Sequence, residues 1–167
     1  GFEFTNFMEY STYEKSIIMR HDVDFSLDKA IEMAQIEYSL GIKSTYFILL
    51  TSNFYNIFSR KNREKLLKIR ELGHQIGLHF DESQYEYFDE GQLNSLIIYE
   101  TDILSRLINS KVMVYSNHRP SKFTLNGQNN DNLSVVSAYS HIFFNEMKYV
   151  SDSRMNWREN IEKIINY

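Results

Sequence analysis

Apolar and polar positions along the chain form two kinds of pattern, which alternate. Short apolar runs rich in β-branched and aromatic residues predict five strands, at residues 15–24, 44–50, 74–80, 111–117 and 148–153. Between the first four runs, apolar residues recur at helical spacing and predict helices at 26–41, 59–73 and 91–109. Ser26 is placed to cap the first helix, and Gly41 and Gly73 to end the first two.

Strands that alternate with helices are typical of an α/β fold, because parallel strands need a helical crossover between them. The sequence contains no internal repeat, low-complexity tract or proline-rich linker, and Pro120 is its only proline. We therefore expect one domain spanning residues 1–167. The sequence leaves open whether that domain is truncated at its C-terminal end.

The composition narrows the classes of function. The chain has 167 residues, enough to bury a core, and no cysteine, which excludes disulfides and cysteine-zinc sites. A formal net charge of −4 without a basic cluster argues against nucleic-acid binding. We see no signal peptide and no apolar run of the roughly 18 residues that a membrane span needs. We expect a cytoplasmic protein, and the sequence gives no indication of its oligomeric state.

Four polar clusters follow four of the predicted strands. These clusters read "RHDVD", "GLHFD", "NHRPSK" and "SDS". In parallel α/β folds the chemistry gathers at the carboxyl ends of the strands, because those ends meet at one edge of the sheet. We therefore expect the functional site at this edge.

The alternation of side chains along a strand selects among the candidate residues. Asp22 and Asp24 lie on the same face, because successive side chains point to opposite faces. His74 and His79 are separated by an odd number of residues and face opposite ways, so they do not form a pair. His79 is the site candidate. We expect structural roles for His74 and His21, and a buried, hydrogen-bonded His141.

The segments "RHDVD", "ELGHQIGLH" and "HRP", in that order, resemble motifs of a known enzyme family. The chain resembles the polysaccharide deacetylases of the NodB-homology type, carbohydrate esterase family four, from about residue 17 to 158. It is most similar to a branch associated with surface-polysaccharide biosynthesis. The resemblance implies an incomplete, distorted (β/α) barrel that uses a divalent metal to remove acetyl groups from sugars.

The resemblance also implies roles for individual residues. Asp22 would be the catalytic base, and Asp24 and His79 would bind the metal. Arg119, in the third motif, would orient the base. In the fourth motif, Asp152 would support catalysis, and Trp157 would contact the substrate.

The chain departs from the family pattern at two points. The second metal histidine of the family falls on Ser83, which is a poor ligand. His118 is the preferred substitute, since imidazole suits zinc and His118 follows a strand, and Asp81 is the alternative. The sequence contains no histidine after His141, so the general acid is not identified.

Three classes of function are compatible with these residues. The leading one is a metal-dependent hydrolase, most simply a zinc enzyme, that removes acyl groups from a sugar or glycan precursor. The alternative is a non-catalytic saccharide-binding or scaffold domain that kept the deacetylase fold. A phosphoesterase would need a second metal or further basic residues, for which the sequence gives no sign. In the first two classes the partner is a carbohydrate.

Overall fold

The computed structural model describes residues 1–87, 89–121, 124, 133–152 and 159–165. Its main sheet has five parallel strands: β3 (Arg20–Val23), β4 (Thr45–Leu49), β5 (Gln75–Phe80), β6 (Val114–Asn117) and β7 (Val136–Ser137). A separate pair of parallel strands precedes it, formed by β1 (Glu3–Thr5) and β2 (Ser16–Ile18). Neighbours in the main sheet are also neighbours in the sequence, in the order β3-β4-β5-β6-β7. This order is that of part of a (β/α) barrel rather than of a doubly wound sheet, in which the strand order reverses.

Three long helices connect the strands of the main sheet. They are α1 (Leu27–Ser39), α2 (Arg60–Glu71) and α3 (Glu90–Ile108), and a short helix α4 (Ile161–Ile165) lies near the C-terminal end. The side chains of Ser26, Ser59 and Asp89 cap the three long helices by accepting backbone N–H groups of their first turns. The predicted α/β fold and the Ser26 cap are therefore confirmed. None of the helices in the described ranges is long and apolar enough to cross a membrane.

Two predicted strands differ from the structure. The first is divided at Met19, so that its two halves belong to different sheets. The predicted last strand is wrong over the described residues 148–152, and β7 is the fifth strand instead. Val135 and Ala138, which flank β7, are buried, whereas Lys148 and Tyr149 are exposed and offer no face to a core.

The two faces of the main sheet pack against different partners. One face packs against the helices. On the other face Phe47 of β4 packs with Phe7, Val114 and Phe143. Gly77 makes this arrangement possible, because a Cβ atom there would lie 2.6 Å from the Phe47 ring. The register of the strands and the alternation of side chains along them place polar side chains on this second face too, at the carboxyl ends of the strands.

Helix α3 carries a buried carboxyl group on its core-facing side. Glu100 is 2% exposed, and its Oε1 accepts a hydrogen bond of 2.5 Å from the Tyr85 hydroxyl. Burial raises the pKa of Glu100 from an ordinary 4.5 to about 7. The folded chain therefore holds this proton more tightly than the unfolded chain does. The resulting stabilisation is complete below pH 4.5 and is lost as the pH rises to 7.

We expect Glu100→Gln to be more stable than the parent protein at pH 8, by up to about 3 kcal/mol. Glutamine keeps an acceptor for Tyr85 and carries no charge, so the difference should be small at pH 5. Urea unfolding at the two pH values measures it, with the exposed Asp102→Asn on the same helix as the control. Equal stability of parent and Glu100→Gln at pH 8 would show that the carboxylate is not penalised by burial.

Candidate metal centre

Three potential metal ligands meet at the carboxyl edge of the main sheet. Asp24 directly follows β3, His79 lies near the end of β5, and His118 directly follows β6. Their facing atoms are mutually close: His79 Nε2 is 3.4 Å from Asp24 Oδ1, and His118 Nδ1 is 3.5 Å from Asp24 Oδ1. The two ring nitrogens are 3.2 Å apart. Among the described residues, these three form the group of side chains suited to hold a metal ion.

The spacing of these atoms fits a zinc ion. Ligand atoms about 2.0–2.1 Å from a tetrahedral zinc lie about 3.3 Å from one another, close to the three observed separations. Asp24 Oδ1 is buried and has no hydrogen-bond partner within the described chain. A buried carboxylate oxygen without a partner is costly, and a bound cation would satisfy it.

His79 is oriented for ligation by its other ring nitrogen. Nδ1 lies 3.2 Å from the backbone oxygen of Ser116 and can donate a hydrogen bond to it, which leaves Nε2 free for a metal. The ring of His79 is 2% exposed, so it is held in place by its surroundings. The pKa of Asp24 is lowered, chiefly by its proximity to the His79 ring and against the effect of burial. Asp24 is therefore ready to act as an anionic ligand.

Asp22 lies beside this group and is paired with the cationic side chain of Arg20. Its Oδ2 is 3.8 Å from His79 Nε2, and its Oδ1 accepts a hydrogen bond of 2.6 Å from Arg20 Nη2. The same guanidinium group donates to Ser116 Oγ and lies over the Phe47 ring, 4.6 Å from its centroid. Arg20 is thus fixed by contacts with three strands.

In the described part of the chain, the ion pair of Asp22 is with Arg20, whereas the motif resemblance implies that Arg119 orients Asp22. Arg20 and Asp22 can pair because both side chains lie on the same face of β3. Arg119 is exposed, has a positive φ of 52°, and acts on the site only through its charge, which contributes to lowering the pKa of Asp24. Burial lowers the pKa of Arg20, but Asp22, Tyr139 and Tyr149 together outweigh it, so the pKa lies above its ordinary value.

The alternative third ligand, Asp81, is engaged elsewhere. Its Oδ1 accepts hydrogen bonds from the backbone N–H and the hydroxyl of Ser83, and its Oδ2 accepts one from Gln84. These bonds cap the short 3-10 helix Glu82–Gln84 that follows β5. The geometry therefore favours His118 over Asp81.

The buried Glu82 accepts hydrogen bonds from the loop that carries His118. Its Oε1 accepts a hydrogen bond from the Ser121 backbone N–H, and its Oε2 accepts bonds from the hydroxyls of Thr124 and Tyr87. Burial opposes ionisation, but these donors outweigh it and lower the pKa of Glu82. Glu82 was not among the predicted site residues, because only the folded chain brings it to the loop.

We expect Glu82→Gln to weaken zinc binding about tenfold, as the loss of groups that orient a metal ligand typically does. The amide nitrogen of glutamine would face donors where the carboxylate had accepted from them, so the His118 loop would be less firmly held. Calorimetric titration with zinc measures the effect, with the exposed Glu86→Gln as the matched control. Unchanged affinity in Glu82→Gln would mean that the loop does not position His118.

Asp152 and His141 do not belong to this group of ligands. Asp152 is exposed, and within the described chain it makes no hydrogen bond or ion pair with a site residue. Trp157 lies outside the described residues. His141 is exposed and contacts Glu146, so the prediction that it is buried is wrong. Its side chain lies next to a turn of π-helix, Ile142–Glu146, rather than within a core.

His21 and His74 belong to a second polar cluster, on the helix-facing side of the sheet. Glu37 of α1 bonds to His21 Nε2 at 2.6 Å and accepts a hydrogen bond of 2.5 Å from the Tyr46 hydroxyl. His74 Nε2 lies 2.9 Å from the backbone oxygen of Ala34, and its Nδ1 accepts a hydrogen bond from Ser44 N. These contacts connect α1 to the sheet, which agrees with the structural roles expected for both histidines.

Three solved structures have a fold similar to that of this chain. Streptococcus pyogenes deacetylase PplD in complex with acetate superposes with a TM-score of 0.56 at 15% identity, over 75% of this chain and 60% of that one. A family 4 carbohydrate esterase from Bacillus anthracis gives 0.52 at 16% identity, over 74% and 58%. A mutant of BA3943, described as a CE4 family pseudoenzyme with restored enzymatic activity, gives 0.52 at 12% identity, over 72% and 43%.

The chain therefore has the fold of the family-four polysaccharide deacetylases. It spans 43% to 60% of the length of these three structures. At such low identity the likeness concerns the fold alone. No family model matches the sequence, and no curated protein is similar enough to match it.

Proposed function

We propose that this chain is a metal-dependent hydrolase that removes acyl groups, most simply acetyl, from a sugar or glycan precursor. One observation carries the proposal: Asp24, His79 and His118 converge at zinc-like spacing, with the carboxylate of Asp22 beside them. The deacetylase fold supports it. The branch that the motifs resemble suggests a precursor in surface-polysaccharide biosynthesis.

Asp24 Oδ1, His79 Nε2 and His118 Nδ1 would hold the divalent metal, for which zinc fits the donor set best. Bound there, such an ion supplies a Lewis acid that polarises an acyl carbonyl and makes water easier to deprotonate. The Ser116 backbone oxygen would keep His79 in the required tautomer.

Asp22 would act as the general base. It is partly exposed, with 35% of its side chain accessible, so that a water molecule can reach it. Its hydrogen bond to Arg20 fixes one oxygen and leaves Oδ2 on the side of His79. A charge-assisted hydrogen bond of this kind holds the carboxylate in one orientation, so that Oδ2 is placed to accept a proton from water.

The leaving group determines which acyl bond is easier to cleave. An amine leaving group needs a proton from a general acid, whereas an alkoxide from an ester leaves more readily. Among the described residues, the histidines outside the metal centre have other partners: His21 contacts Glu37, His74 contacts Ala34 and Ser44, and His141 contacts Glu146. We therefore infer that an O-acetylated saccharide is the better substrate.

Acetate release tests the proposal. The zinc-loaded protein is incubated with an O-acetylated and an N-acetylated oligosaccharide, and free acetate is measured with and without EDTA. We expect release that EDTA abolishes and added zinc restores, faster with the O-acetylated substrate. Zinc binding without release from either substrate would favour the non-catalytic saccharide-binding alternative.

A further inference from the structure

Two exposed phenylalanines lie at the same edge of the sheet as the candidate metal centre. Phe25 follows Asp24 directly, in the loop between β3 and α1, and Phe54 lies in the loop between β4 and α2. Phe25 is 64% exposed and Phe54 68% exposed. Their rings contact each other in a T-shaped pair with centroids 4.8 Å apart. This pair, Phe25–Phe54, leaves much of two large apolar rings in contact with solvent.

Hydrogen bonds join the loop that carries Phe54 to the end of β3, where Asp24 lies. The Ser52 hydroxyl donates a hydrogen bond of 2.8 Å to the backbone oxygen of Asp24, and it accepts one of 3.1 Å from the Phe54 N–H. The Tyr55 hydroxyl donates to the backbone oxygen of Val23 at 2.5 Å. The loop of Phe54 is thereby attached to the end of β3, so the two rings have a defined position relative to Asp24.

The pair borders a polar cavity of about 360 Å³, a size typical of small-ligand sites. The cavity is also lined by Asn56, Lys61, Asn62 and Lys65. Lys65 is paired with Asp28, and the charge of Lys61 also acts on Asp28 from a greater distance, without an ion pair or hydrogen bond within the described chain. Apolar rings bordered by amide and ammonium donors match a pyranose ring, which has apolar C–H faces and a rim of hydroxyl oxygens.

We propose that Phe25–Phe54 is a saccharide-binding platform, on which a sugar ring of the substrate lies beside the unit whose acyl group enters the metal centre. The proposal rests on the proposed function, because it adds a second sugar unit to the same substrate. Because a second sugar unit would lie on the platform, we expect oligosaccharides to bind more tightly than monosaccharides. Removal of either ring should therefore weaken the binding of oligosaccharides.

The test measures binding and hydrolysis separately. Binding of chitopentaose to the protein in EDTA, where no hydrolysis occurs, is followed by ligand-observed NMR titration. We expect Phe25→Ala and Phe54→Ala to weaken it about tenfold each, from the apolar area that each ring buries. Phe54→Tyr keeps the ring and should retain binding, whereas Phe54→Leu keeps apolar bulk without a ring and should not. Tyr38→Ala is the matched control, since Tyr38 is 60% exposed and lies near the C-terminal end of α1.

Hydrolysis of 4-nitrophenyl acetate by the zinc-loaded parent protein and by zinc-loaded Tyr38→Ala is the second readout, and we expect equal rates, because Tyr38 is exposed near the C-terminal end of α1. Equal affinity for chitopentaose in Phe54→Ala and Tyr38→Ala would overturn the platform, as would an unmodified protein that does not bind chitopentaose. A protein that binds chitopentaose through the pair but hydrolyses no acetyl group would refute the proposed function and leave the platform standing. The two failures are therefore distinguishable.

Discussion

His79→Gln is expected to weaken zinc binding by about 100-fold or more, and to remove acetate release with it. His79 Nε2 is the atom closest to both of the other ligand atoms, at 3.4 Å and 3.2 Å, and its ring is buried. Replacement of the imidazole by an amide removes a strong nitrogen ligand and also the contact with the Ser116 backbone oxygen. Calorimetric titration with zinc measures the loss directly.

His141→Gln is the matched control for that variant. His141 is 66% exposed and contacts only Glu146 within the described chain, so its replacement should leave zinc affinity unchanged. Circular dichroism of both variants verifies that they are folded. Wild-type zinc affinity in folded His79→Gln would mean that the metal binds elsewhere.

Asp22→Asn is expected to reduce the rate of acetate release by about 10²–10⁴-fold while zinc affinity stays within about threefold of the parent. Asparagine has nearly the same shape and can still contact Arg20, but its amide cannot take a proton from water. The loss should therefore appear in kcat rather than in KM. Steady-state kinetics on the O-acetylated oligosaccharide separates the two constants.

Arg20→Lys supplies a graded comparison. Lysine keeps the positive charge but not the planar group that contacts Asp22, Ser116 and Phe47 together, so Asp22 would be less firmly oriented. We expect a smaller fall in kcat than in Asp22→Asn. A rate in Asp22→Asn equal to that of the parent would exclude Asp22 as the base.

The helices and most strands could be predicted from the sequence because their patterns are local. Helices α1 to α3 show a clear apolar period with capping residues, and β4 and β5 are short, mostly apolar runs with defined ends. The last strand could not be predicted in this way. "KYVSDS" is apolar enough to resemble a strand, but burial depends on the tertiary fold, which selects Val136–Ser137 instead.

The site was predictable to a similar extent. Alternation along a strand places Asp22 on one face and predicts that Arg20 shares it, so the signal for their pairing was present in "RHDVD". The motif resemblance instead implied that Arg119 orients Asp22. Glu82 gave no such signal, because its partners Ser121 and Thr124 are distant in the sequence and become neighbours only on folding.

An anomalous difference map at the zinc absorption edge, from a crystal grown with zinc, shows directly whether Asp24, His79 and His118 bind the metal. We expect a single strong peak within about 2.0–2.2 Å of Asp24 Oδ1, His79 Nε2 and His118 Nδ1, with Asp22 outside that distance. A zinc-loaded crystal without a peak at these three side chains, or with the peak on other residues, would contradict the metal centre and the hydrolase mechanism built on it.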